Sequence, residues 1–264
     1  SPPSNYASLR KSYPGFKWSF YSNPLGFSGA IRAGLHKVRF PWVYLLNSDI
    51  ALARDALESL APYRSVTFFS IASQIALKDV TRFRDETNLT ILFLENDLAT
   101  IHDRIPEFPG TAENFYAGGG ASLFQTDLLR SFVNDSLVYD PFYWEDVEWG
   151  WRARKLGYRS LFCPESMAHH RQHSTISRHF SADEVDAVFQ RNRFLFQLRN
   201  FTTVGSTERV LKAIAQAPSN LSDYFLKPRS LYHIARGRFW NHLVPVDDAA
   251  VLETGPHEEH EASV

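Results

Sequence analysis

With 264 residues, 44% hydrophobic and 14% aromatic, the chain can bury a full core as one large domain or one domain with an appendage. A formal net charge of −1 removes any global electrostatic case for nucleic acid, and a single cysteine, Cys163, excludes an intrachain disulfide and a cysteine zinc cluster. No apolar run reaches the ~18 residues of a spanning helix and no leader-like segment opens the sequence, so the expected location is the cytoplasm, with the inner face of the membrane as its variant.

Residues 1–14 are polar and turn-rich, and the start on Ser1 instead of methionine reads as a fragment. Residues 16–21 alternate in the manner of a strand, and Asn23, Pro24, Leu25 and Gly26 make a turn. Ser28 could then cap a helix through Val38. Residues 42–46 form a compact apolar run that suits a buried parallel strand, ending abruptly in Asn47, Ser48 and Asp49. A helix is expected over 51–60, stopped by Pro62, which places the polar triplet just past a strand's carboxyl end, where open α/β sheets bind ligands. Further strands are expected over 65–71 and 89–94, while 78–110 is charged and gives no clear assignment. Gly118, Gly119 and Gly120 precede a helix expected over 121–132; such a triplet lets the backbone pass close to a ligand or a neighbouring element, or serves as a flexible turn.

The segment 143–158 organises the chain. Glu145, Asp146 and Glu148 crowd its start, Arg152, Arg154 and Lys155 its end, and Gly157 stands where a helix C-cap glycine would stand. Glu148 and Arg152 have the i,i+4 spacing of a helical ion pair. An ordinary short helix accounts for that much, but Tyr143, Trp144, Trp149 and Trp151 also surround the acids with aromatic surface. Flat apolar rings beside carboxylates suit a sugar, whose C–H faces stack while its hydroxyls need acceptors, and partial desolvation can tune a carboxylate toward base work.

A last strand is expected over 159–163, followed by Pro164 and by His169, His170 and His173. The His169 to His173 spacing could suggest zinc, but no glutamate completes a His-Glu-x-x-His helix and no cysteine stands by. Ser181 and Glu184 form a capping box opening a helix to about Asn200, with Val185, Val188, Phe189, Phe194 and Leu195 on its apolar side. The stretch to about Leu243 is helical in colouring, with Lys227, Arg229, Tyr232, Arg236, Arg238 and Trp240 interleaved. That mix could make a peripheral membrane contact, although packing against the body is the better expectation. From Pro245 the tail is acidic and expected to be mobile.

Residues 23–30, the run from Leu45 to Asp49, the triple glycine, Glu145 and Asp146 continuing into Arg152 and 157–159, and finally 164–170 occur in a joint order and spacing that resembles the family 2 glycosyltransferases of the GT-A fold, especially their rhamnosyltransferase-like branch. The resemblance spans 16 to about 174. It implies an α/β fold with a GT-A-like (Rossmann-like) mixed, mostly parallel sheet flanked by helices: a catalytic domain over 1–178, a C-terminal helical extension over 179–244 and a flexible acidic tail over 245–264. The family normally begins with a strand and an aspartate that holds the nucleotide base, and this sequence starts downstream of both, so the donor site reads as incomplete at its N-terminal side.

The implied activity is inverting, metal-dependent transfer of a sugar from a nucleotide-sugar donor to a hydroxyl of a glycan or glycolipid acceptor, in polysaccharide or cell-envelope assembly. Asp49 matches the metal-binding aspartate of an Asp-x-Asp-like motif whose first acid is here Asn47, with Ser48 between them; with His170 it is the ligand set implied for Mg2+ or Mn2+. Asp49 could instead cap the helix at 51–60. Asp146 matches the general base, Glu145 would orient it or bind an acceptor hydroxyl, Trp144 would stack on the acceptor sugar, and Gly118, Gly119 and Gly120 would shape the sugar-binding wall. Gly26 and Arg32 fall on the diphosphate side, Arg32 where many relatives carry asparagine. The alternative is a noncatalytic carbohydrate-binding or scaffolding relative that has lost donor binding; a nucleotidyltransferase of similar fold lacks support in the absence of a basic glycine-rich phosphate loop near the start.

Overall fold

The structure, a computed structural model, describes residues 6–77, 88–104, 110–170, 179–201, 204–217, 219–244 and 251. The chain opens with α1 (Ala7–Ser12) and α2 (Gly26–Leu35). The strand expected over 16–21 does not form. Alternation without a partner edge makes no ladder, and these rings pack on one another instead, Trp18 against Phe20 at 6.5 Å and Tyr6 against both. Ser28 is not a cap. It is buried inside α2 and shares a hydrogen bond of 3.0 Å with the Ser136 hydroxyl.

Next come β1 (Trp42–Leu46), β2 (Ile50–Leu52) and α3 (Ala56–Leu60), so the helix expected over 51–60 divides into a strand and a shorter helix. Asp49 therefore caps nothing; it leads into β2, where Ile50 to Leu52 pair with His170 to Ala168. After β3 (Phe68–Leu77), the charged region with no sequence assignment contains a hairpin, β4 (Thr90–Glu95) and β5 (Leu98–Asp103). Its turn residues Asn96 and Asp97 both have positive φ, 51° and 62°, the geometry whose twist matches a two-residue hairpin loop and which Asn and Asp tolerate best.

The chain continues through β6 (Ala112–Asn114), β7 (Ala121–Gln125), α4 (Thr126–Ser136), α5 (Glu145–Lys155), β8 (Arg159–His170), α6 (Ala182–Asn200), α7 (Val204–Gln216), α8 (Ser219–Leu226) and α9 (Pro228–Leu243). The helix expected over 121–132 is thus half strand, because residues 121–125 fill the slot between β1 and β3. The main sheet runs β1-β7-β3-β8-β2, with β6 on β8. It is the mixed α/β sheet expected, but less parallel than expected: only β3 with β8 is a parallel pair among the described residues. β7 leaves the glycine triplet running against both of its neighbours, and that one reversed insertion turns two pairings antiparallel.

Two cores meet on α5. One lies on the sheet, where Trp149 joins Phe69, Phe124, Phe132 and Leu35. In the other, Trp144, Val147 and Trp151 pack with Phe194, Phe196 and Phe201. Trp149 and Trp151 are therefore structural, wedged into opposite cores, and give the acids no sugar-facing surface. The capping box at Ser181 and Glu184 forms as expected, and α9 packs on α6 and α5, with the Trp151 indole N–H donating to Asn241 Oδ1 at 3.1 Å. Among the described residues no helix is long and apolar enough to cross a membrane. His173 and the acidic tail, apart from Val251, lie outside the described residues.

Candidate active site

A cleft of about 370 Å3 opens where the strand ends, the glycine triplet and the start of α5 converge. Its lining includes Asn47, Ile50, Ile75 and His170, the wall of Gly118, Gly119 and Gly120, the acids Glu145, Asp146 and Asp103, and Ile101, Tyr143 and Phe189. It forms from backbone alternation and one helix start. His170 ends β8 on the cleft side, whereas its neighbour His169 points out to solvent.

Asp146 sits in the first turn of α5. Its Oδ2 accepts the Gly119 N–H at 3.2 Å and its Oδ1 the Val147 N–H at 3.0 Å, so the base candidate is fastened to the glycine wall. Burial nevertheless pushes its pKa up to about 6, with those two N–H groups pulling the other way. Glu145 beside it is driven well above the ordinary carboxylate range, first by burial and then by the charge of Asp146. Its Oε2 is buried without a hydrogen-bond partner. Glu145 is thus pushed toward its protonated form by burial and by its neighbour's charge, which leaves Asp146 as the proton-acceptor candidate of the pair.

Asp49 is not in the lining itself, but its Oδ2 lies 3.5 Å from Nε2 of the lining residue His170, and both side chains are partly open to solvent. No group of three or more His, Cys, Asp or Glu gathers at metal-binding distance among the described residues. One carboxylate and one imidazole with open positions fit a cation that takes its other ligands from phosphate oxygens and water, and do not fit a closed zinc site. Asn47 comes within 2.9 Å of where a Gly120 Cβ would stand, so the two are neighbours in the cleft lining. Ser48 is exposed beside it.

Gly26, Arg32, Ser48 and Asp49 fall outside the cleft lining, and Trp144 is in it but buried. Gly26 is not in the cleft lining; its φ of +68° and an Asp140 carboxylate oxygen 2.5 Å from a would-be Cβ explain the glycine by conformation and packing. Arg32 is exposed on α2, outside the lining, and the group its charge acts on is Asp140. Trp144 touches the cleft but is only 2% exposed, because its ring packs on Phe189 and Phe196 at 5.6 and 5.2 Å. The most exposed of the aromatic residues lining the cleft is Tyr143, at 38%.

Asn88 escaped the sequence reading. It is buried with φ of 58°, donates to the Ser73 and Ala121 carbonyls and to Ser122 Oγ at 3.1, 3.3 and 3.2 Å, and accepts the Gly118 N–H at 3.0 Å. It therefore holds the glycine wall from behind as Asp146 does from the front. A lone asparagine in a charged stretch carries no sequence signal for this role.

No protein-family model and no curated protein sequence matches the chain. Its fold is that of the crystal structure of GalNAc-T7 with UDP, GalNAc and Mn2+, with a TM-score of 0.59 and 14% sequence identity over 97% of this chain. The chain spans 50% of the length of that protein chain. At this identity the likeness is one of fold: the chain has the GT-A-type α/β architecture.

Proposed function

We propose that the chain is a metal-dependent, inverting glycosyltransferase that moves a sugar from a nucleotide-sugar donor to a hydroxyl of a glycan or glycolipid acceptor, in polysaccharide or cell-envelope assembly. The observation that carries this reading is a single cleft lined by both Asp146, whose pKa burial raises to about 6, and His170, which meets Asp49 at 3.5 Å. The shared fold with a protein whose structure holds UDP, GalNAc and Mn2+ supports the nucleotide-sugar donor and the metal in this reading, and not the inversion.

Asp49 and His170 would hold the divalent cation, which when bound supplies positive charge to the departing nucleotide diphosphate. Asp146 accepts the proton of the acceptor hydroxyl as that oxygen bonds to the anomeric carbon, while the anomeric carbon–phosphate oxygen bond breaks and its electron pair leaves with the nucleotide. Direct displacement of this kind inverts the configuration. Glu145 lines the same cleft, and its unpartnered Oε2 offers a contact to a substrate hydroxyl. The Gly119 N–H keeps the Asp146 carboxylate facing the cleft.

Asp146→Asn is expected to lower transfer by roughly 10²–10⁴-fold while calorimetric affinity for the sugar nucleotide stays unchanged. Equal loss of both would refute the base assignment, and a product with retained anomeric configuration by NMR would refute direct displacement.

A further inference from the structure

The chain turns into α5 through two consecutive residues that no turn rule favours. Tyr143 and Trp144 have φ of 74° and 77°, a left-handed conformation that is uncommon for any side chain but glycine and strained for bulky ones. Trp144 is held there by burial. Tyr143 is not: it is exposed at the cleft rim, so packing alone does not explain an aromatic residue where glycine would be unstrained. The strain is secured from outside the turn. Asn192 of α6, fully buried, donates its Nδ2 to the carbonyls of Tyr139, Phe142 and Tyr143 at 2.7, 2.9 and 2.9 Å. Phe142 and Phe189 meet the Tyr143 ring at 4.9 and 6.0 Å, near-perpendicular to it, and brace its orientation.

We propose that Tyr143 is the platform for the acceptor sugar, with Asn192 as its positioning residue, and that the acceptor is a neutral saccharide. The ring stands on the residue three before Asp146 and lines the same cleft, where an attacking hydroxyl has to arrive. A pyranose stacks its C–H face on such a ring while its hydroxyls reach acceptors, and here the cleft supplies the Asp146 carboxylate. Its charge admits hydroxyls and repels a carboxylate-bearing sugar, so charge as well as shape selects the ligand. This refines the acceptor half of the transferase reading and rests on it for the word acceptor, but the binding claim is testable without turnover.

The probes are methyl glycosides of glucose, galactose and mannose, with methyl glucuronide as the charged counterpart of the glucoside, measured by saturation-transfer NMR on the full chain. The expected result is binding of at least one neutral glycoside, no binding of the glucuronide, retention in Tyr143→Phe, and a roughly tenfold loss in Tyr143→Ala. Tyr143→Gly separates ligand from structure: it relieves the left-handed strain, so thermal stability holds or rises while glycoside binding is lost. Asn192→Ala is expected to raise the acceptor KM by a larger factor than it lowers kcat, a split that a general loss of structure would not give. Equal binding by Tyr143→Ala, equal binding of glucoside and glucuronide, or no glycoside binding by the wild type overturns the proposal. If sugar nucleotides fail to bind while Tyr143-dependent glycoside binding persists, the transferase reading falls and the subsite stands.

Discussion

Replacing Glu148 by glutamine tests what holds the helix that carries Asp146. Glu148 Oε1 accepts from Arg152 Nε and Nη2 at 2.9 and 2.7 Å and from Arg199 Nη2 at 2.8 Å, and Arg152 reaches on to Asp135 at 2.7 Å. Burial alone would raise the Glu148 pKa, but Arg199 and Arg152 hold it at about 2, below the ordinary 4.5. A carboxylate depressed in the folded state contributes stability that is fully present above the unfolded pKa and is lost as pH falls through the folded one, here from about 4.5 to about 2. The gap corresponds to on the order of 3 kcal/mol, in line with the roughly 3–5 kcal/mol lost when one member of a buried ion pair is removed. With a urea m-value of about 3 kcal/mol per molar, Glu148→Gln should lower the midpoint at neutral pH by about 1 M, followed by tryptophan fluorescence. The difference from wild type should shrink as pH falls toward about 2. The exposed Glu208–Lys212 pair is the control, and Glu208→Gln should leave the midpoint unchanged. A shift under about 0.3 M, or a gap that does not narrow in acid, would refute this reasoning.

The pH profile of transfer should rise through about 6 as Asp146 loses its proton, and a rate independent of pH across that range would contradict its role as base. Gly119→Ala would place a Cβ 2.6 Å from Phe27 Cζ; the displaced ring should cost about 1–3 kcal/mol in thermal unfolding, and transfer should fall further than stability because the Gly119 contact to Asp146 is disturbed. Gly150→Ala, whose Cβ would meet Tyr116 Cβ at 2.4 Å and the Phe115 carbonyl at 2.9 Å, should lower the melting temperature with no specific effect on donor affinity. Asn88→Ala removes three donated hydrogen bonds and the acceptor for Gly118 N–H, and should weaken sugar binding along with stability.

The α5 helix was legible because its signals are local: charge order along the axis, the Glu148–Arg152 spacing and Gly157 past its end. The capping box at Ser181 was legible for the same reason. Residues 51–60 and 121–132 were misread because each begins with a short strand whose identity comes from a distant partner, β8 for Ile50 to Leu52 and β1 with β3 for Ala121 to Gln125. Residue order alone carries no trace of that pairing. The site shows the same division. The residues that motif order singled out, Asn47, Gly118 to Gly120, Glu145, Asp146 and His170, line one cleft, with Asp49 touching it through His170. Trp144 and Tyr143 could not be told apart in sequence, because which ring is buried depends on α6 arriving with Phe189 and Phe196. Asn88 and Asn192 were invisible for a related reason: each acts on backbone groups far away in the chain.

Calorimetric titration of sugar nucleotides into the protein with and without Mn2+, repeated on Asp49→Ala, tests the central claim most directly. The account predicts binding of at least one sugar nucleotide that requires the metal and weakens by about tenfold or more, ~1.4 kcal/mol, when the Asp49 carboxylate is removed. Failure of every sugar nucleotide to bind in the presence of Mn2+, or binding indifferent to both the metal and Asp49, would contradict it.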